Sequence, residues 1–137
     1  MFSNFFSMSA SMLVFMYFVS SFSKLFNFSK TVNGLRVRAP YIPHIITNFM
    51  IIAAILIEFI APLLIVYASI RPENKKAQNL ALYSCYLLVI FTILATLLYH
   101  FPPNISARYY PFMSNLATTG GLLVLTYVFL MKLNKQQ

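Results

Sequence analysis

The chain is 137 residues long, 60% hydrophobic and only 9% charged, with a mean hydropathy of +0.76 and a formal net charge of +8. A soluble domain carries about 25% charged residues, so this composition excludes a water-soluble catalytic module and points to lipid. The ten basic residues lie mostly between apolar stretches, which fits anchoring to anionic lipid headgroups and not a nucleic-acid surface.

Residues 1–23 form the first apolar stretch, with no Lys or Arg before Lys24. A cleaved signal peptide has a basic start, a short apolar core and a small-residue cleavage site, so a retained first helix is expected, ending near Phe26 to Phe28. Tyr17, Ser20, Ser21 and Lys24 share one face of it. Residues 27–44 are basic and aromatic, and Pro40 and Pro43 delay the next helix. A short interfacial helix over residues 31–38 is left open, because the periodicity there is too brief to decide it.

Residues 45–70 contain one charge, Glu58, with thirteen neutral residues before it and twelve after. An acidic side chain near mid-membrane costs about 2.5–3.5 kcal/mol on insertion scales and usually faces a bundle interior or a wet cavity. Four residues on, Pro62 has no N–H to give the Glu58 carbonyl, so a kink is expected beside the carboxylate. Glu58 is expected either to pair structurally with Lys24, to stay neutral through burial, or to serve a ligand.

Residues 71–76 read as a tight polar turn. The third stretch, 77–99, holds the single cysteine, Cys85, so neither an internal disulfide nor a C-x-x-C thiol exchange is available. Thr92, Thr96, Tyr99 and His100 line one side of it. Residues 100–111 read as a loop with Pro102, Pro103 and Pro111, and Arg108, Tyr109 and Tyr110 as an interfacial anchor. In the last stretch, 109–131, Asn115, Thr119, Leu122 and Thr126 make a largely polar stripe, for which hydroxyl-to-backbone packing is the bland explanation. Gly120 and Gly121 beside Ala117 leave room for a neighbouring helix.

The predicted spans are about 5–26, 45–70, 77–99 and 109–131, each longer than the ~20 residues a membrane-crossing helix needs. The fold class expected is all-α: an integral membrane four-helix bundle running up-down-up-down, one membrane domain over 1–137, both termini on one side. Parity places the first and third loops on a common face. Lys24, Glu58, His100 and Asn115 then lean toward one half of the bundle, where a shared pocket open to that face is expected. With Lys24 left out as a possible site residue, Arg71, Lys75, Lys76, Lys132 and Lys135 on one face outnumber Lys30, Arg36, Arg38 and Arg108 on the other, five to four. The excess favours termini on the cytoplasmic or matrix side. No His, Cys, Asp or Glu cluster has metal-ligand spacing and no Gly-rich phosphate loop is present; a haem between His44 and His100 is set aside, because loop-end histidines are far more often surface residues.

Three stretches together carry a resemblance. Residues 21–25 (SFSKL) close the first helix, 57–64 (IEFIAPLL) lie in the second, and His100 follows the third. Residues 112–123 (FMSNLATTGGLL) in the fourth match an F-x-x-N-x-A-x-x-G-G-L-L pattern. In order and spacing across nearly the whole chain, this resembles the DoxX-like family of small four-helix membrane proteins. It departs from that family at Ser21, where Gly is usual, and at Ala61 and Pro62, where Gly-rich turns are usual. The resemblance implies Lys24, Glu58, His100 and Asn115 as the characteristic polar positions, and attachment to membrane redox or respiratory machinery.

A non-catalytic accessory or assembly subunit of a larger membrane complex, in the mitochondrial inner membrane, is the first functional expectation. Its partners would be membrane proteins of that complex and the surrounding lipids, with no nucleic acid. The alternative is a small quinone-linked redox protein in which Glu58 and His100 exchange protons with a bound headgroup, Asn115 donates a hydrogen bond and Lys24 sets the local potential. No cofactor is expected within the chain itself beyond a bound quinone or lipid. Transport of a small solute or proton ranks last, since no inverted repeat or paired broken helices are present.

Overall fold

A computed structural model describes residues 2–104 and 106–135. They form five helices: α1 (Phe2–Phe26), α2 (Phe28–Arg38), α3 (His44–Ile70), α4 (Lys75–His100) and α5 (Ser106–Asn134). Four of them, all but α2, are long and apolar enough to cross a membrane. The chain is an all-α, multi-pass membrane bundle. Around it α1 packs on α3, α3 on α4 and α4 on α5, while α1 and α5 meet along a narrower seam.

The bundle distributes its side chains as a membrane solvent requires. Its outside is large and apolar, with Met12, Phe15, Leu63, Ile90, Leu94 and Val124 exposed. Its inside mixes large apolar residues such as Phe129, Ile65 and Leu88 with many small or polar ones: Ala10, Ala61, Ala68 and Ala81 are buried, as are Ser21, Ser69, Thr92 and Thr126. Lipid is as apolar as leucine, so large apolar residues gain nothing by turning inward, whereas small ones let helices approach. Leu13 reaches to 2.8 Å from where a Cβ on Gly121 would stand, whereas Gly120 faces open space. Gly121 alone of the pair therefore serves the expected close approach.

Side chains also close the helix ends. Asn74 caps α4 by accepting from the Ala77 amide at 3.1 Å. Fully buried Gln78 donates to the Ala68 carbonyl at 2.6 Å and the Arg71 carbonyl at 3.2 Å. Ser7 donates to the Ser69 carbonyl at 2.8 Å. The last carbonyls of a helix lack intrahelical donors, and here two neighbouring helices supply them.

One reading left open is now filled in, and one expectation needs correction. Residues 28–38 are helical: Val32, Leu35 and Ala39 bury against Ile51 of α3. A stretch with one short apolar edge gives little periodicity, yet that edge is enough when a neighbouring helix covers it. The last helix begins at Ser106, so Pro111 lies inside α5 and not in a loop ending there. A proline this close to the helix start removes only the bond back to Ala107, and the helix continues past it. α3 likewise continues through Pro62 as one helix.

Candidate functional site

The charged feature of the bundle interior is the ion pair between Lys24 and Glu58. The Lys24 ammonium donates to Glu58 Oε2 at 2.6 Å and Oε1 at 2.8 Å, and to the Ser20 hydroxyl; Ser20 in turn donates to Oε1 at 3.1 Å. All three ammonium protons are used. Among the described residues it is the single salt bridge, with side chains 23% and 5% exposed. A buried carboxylate survives when it is paired and its remaining lone pairs are bonded, and here one helical turn of α1, Ser20 to Lys24, does both.

Backbone direction explains the reach. Cα–Cβ bonds tilt toward a helix's N-terminus, so Lys24, near the end of α1, extends back into the bundle instead of out toward headgroups. Glu58 stands fourteen residues into α3, about 21 Å along the helix at 1.5 Å per residue, whereas Lys24 is about 3 Å from the end of α1. The two ends are therefore staggered: α1 stops deeper than α3 begins. The space left over is taken by α2. Arg36 donates to Asn48 of α3 at 3.2 Å, and the Arg38 guanidinium lies 4.8 Å from the Tyr99 ring centroid on α4.

Above the ion pair lies a cavity of about 490 Å³, bounded by all five helices. Lys24, Glu58, His100 and Asn115, the four positions singled out in the sequence, all line it. Helix α2 contributes Thr31 and Leu35, so the end toward the first and third loops is partly covered. That differs from a pocket simply open to that face. Apart from these groups the wall is mostly apolar, with residues such as Ile57, Phe91 and Leu98. A few convergent polar groups in a largely apolar cavity of this size are the usual make-up of a small-molecule site.

The polar groups are not equally committed. Asn115 donates to the Thr96 hydroxyl at 2.9 Å, which leaves its second N–H and its carbonyl oxygen. Tyr17 and Thr92 share a hydrogen bond across α1 and α4. The Tyr99 hydroxyl is buried without a partner among the described residues, an exception in a folded interior where such groups are nearly always bonded. Thr92, Thr96, Thr119 and Thr126 each donate to the carbonyl four residues back, at 2.6 to 2.8 Å. These stripes are packing, as their spacing allowed. Tyr17, Thr31 and Tyr99 add to the wall; Tyr17 and Tyr99 stood in the polar stripes, whereas Thr31 depended on the unassigned α2. His44 lies away from this cavity, exposed at the start of α3 beside Arg36 and Tyr41.

Comparison with known proteins finds no matching family, no matching curated protein and no matching solved structure.

Proposed function

We propose that this chain is a DoxX-like accessory component of a membrane redox assembly, contributing a bilayer-embedded pocket for a quinone-type headgroup. One observation carries the reading: the four polar positions that the family resemblance implies line a single cavity of about 490 Å³. The chemistry is binding and positioning. With one cysteine and two histidines the chain is not equipped as an electron source, so electrons come from a partner subunit. On this reading His100 and Glu58 exchange protons with the headgroup, and Asn115 hydrogen-bonds a carbonyl. The mitochondrial inner membrane is the location that a respiratory partner would dictate.

Mild-detergent extraction, native electrophoresis and mass spectrometry of the band test this directly. Migration within a larger redox assembly, together with a quinone extracted from the purified chain, is the expected result. Glu58→Gln is expected to lose most of that quinone. A chain that migrates within an assembly but carries no lipophilic molecule would be a structural subunit alone. A small species with no extractable ligand would end the proposal.

A further inference from the structure

Four residues of the cavity wall are exposed at the outer surface of the bundle: Met16, Met50, Ala53 and Leu94. Met16, on α1, meets α5 across the seam, its sulfur 3.3 Å from the Thr118 hydroxyl, which donates to the Ser114 carbonyl of its own helix at 2.9 Å. The other three lie on α3 and α4. Helical phase identifies their flank. Phe59, which packs edge-on against Phe18 and Phe22, marks the α1 side of α3, and Ala68, bonded by Gln78, marks its α4 side. Met50, Ala53 and Ile57 fall on the Ala68 side at about 100° per residue. On α4, Phe91, Leu94 and Leu98 fall opposite the flank of Cys85 and Thr96, which meets α5. The cavity therefore opens sideways, through a slot between α3 and α4 that faces lipid. Small side chains keep it open: Ala53 on one helix and Ala95 on the other both line the cavity.

From this slot, and resting on the reading of the cavity as a ligand site, we infer that the ligand is an amphiphile with a neutral, hydrogen-bonding head and an apolar tail, admitted laterally from the bilayer. The tail lies in the slot against Met50, Ala53 and Leu94. The head lies inside, toward Asn115 and His100. Charge selects the head. Lys24 and Glu58 neutralise one another and every ammonium proton of Lys24 is taken, so among the described lining residues no lysine or arginine is left to meet an anionic headgroup. What remains is the uncommitted amide capacity of Asn115 and the His100 imidazole, which suit carbonyl or hydroxyl groups. A phospholipid phosphate is disfavoured and a benzoquinone or similar neutral head is favoured.

The full chain in lipid nanodiscs tests the inference, with two probes sharing one head: 2,3-dimethoxy-5-methyl-1,4-benzoquinone and its 6-decyl derivative. The chain has nine Tyr and no Trp, so quenching of tyrosine fluorescence reports binding. The parent protein is expected to bind the decyl probe at least about tenfold more tightly than the tail-less one, after correction for partitioning, because each buried methylene adds to affinity. Ala53→Phe fills the slot and is expected to weaken decyl binding by about tenfold or more while leaving the tail-less probe within about twofold. Ala53→Leu gives a smaller loss in the same direction and serves if the larger residue disturbs folding, judged by helical circular dichroism. Unchanged decyl binding in both variants would overturn lateral admission while leaving the pocket reading standing. Displacement of the decyl probe by short-chain phosphatidylglycerol would overturn the neutral head. Failure of the parent to bind either probe would overturn this inference and the pocket reading together.

Discussion

A charge near the middle of a bilayer-spanning segment has to be explained by its neighbours, and for Glu58 those neighbours are Lys24 and Ser20. Removing only the carboxylate leaves an ammonium inside the bundle with no countercharge, which typically destabilises a protein more than removing the whole pair. Glu58→Gln is therefore expected to lower stability by about 3 kcal/mol, read as denaturant or thermal unfolding of the full chain in mild detergent. The double variant Lys24→Met with Glu58→Leu is expected to recover most of that loss, because two apolar residues need no partner. A double variant as unstable as the single would show that the pair is not what Glu58 contributes. Thr126→Val probes the opposite case. Its hydroxyl bonds back to the carbonyl of Leu122 in its own helix and also meets Cys85 of α4, and hydroxyl bonds inside membrane bundles average about 0.6 kcal/mol, so a loss of about that size is expected in the same assay. At this scale the sequence was informative about which residue needs explaining: a lone acid among 25 neutral residues needs a cation, a proton or a ligand, and Lys24 is the one basic residue on the polar face of the first helix. It was uninformative about Tyr99, whose unpartnered hydroxyl depends on packing between three helices.

Helix α2 shows where periodicity stops being a guide. Eleven residues with two buried apolar side chains, Val32 and Leu35, repeat too few times to be separated from a loop, and their helicity is settled by Ile51 and Asn48 of another helix. The start of α5 was misplaced for the reverse reason: Pro111 reads as a breaker, but within the first two turns it removes a single bond. The long apolar helices, by contrast, were legible to within about three residues at each end, since lipid thickness sets their length and charges mark most of their ends. Because α2 is held by one small apolar edge, Leu35→Ser is expected to release it without unfolding the bundle. Hydrogen–deuterium exchange should then rise several-fold across residues 28–38 and stay unchanged in the interiors of α3 and α4. Exchange rising equally in all helices would mean that α2 is integral to the bundle instead of a cover on it. The paired glycines divide in the same way. Gly120→Ala meets nothing within 4 Å and should stabilise α5 by up to about 1 kcal/mol through helix propensity, whereas Gly121→Ala must displace Leu13 and should gain less or lose stability.

For the molecule as a whole, an even number of crossings fixes relations between loops before it fixes orientation. Lys30 in α2 and Arg108 at the start of α5 must lie at one face, and Glu73, between α3 and α4, at the other. Single cysteines test this against a quiet background, because Cys85 is fully buried. In sealed native vesicles an impermeant maleimide is expected to label Lys30→Cys and Arg108→Cys from the same side and Glu73→Cys from the opposite one. Opposite sides for the first two would remove one crossing and with it the bundle. Orientation is a finer balance. With Lys24 set aside because it is paired with Glu58, five basic residues on the face of the termini against four on the other would favour the termini on the cytoplasmic or matrix side by a margin of one. Lys75→Gln with Lys76→Gln takes the count to three against four, while Asn74 still caps α4 and the helices keep their lengths. The same maleimide assay should then find a measurable fraction of molecules with Glu73→Cys and Arg108→Cys exchanged between sides. A labelling pattern that stays uniform would mean that orientation is set by a partner or by the first helix as it inserts, and not by the charge difference between the loops.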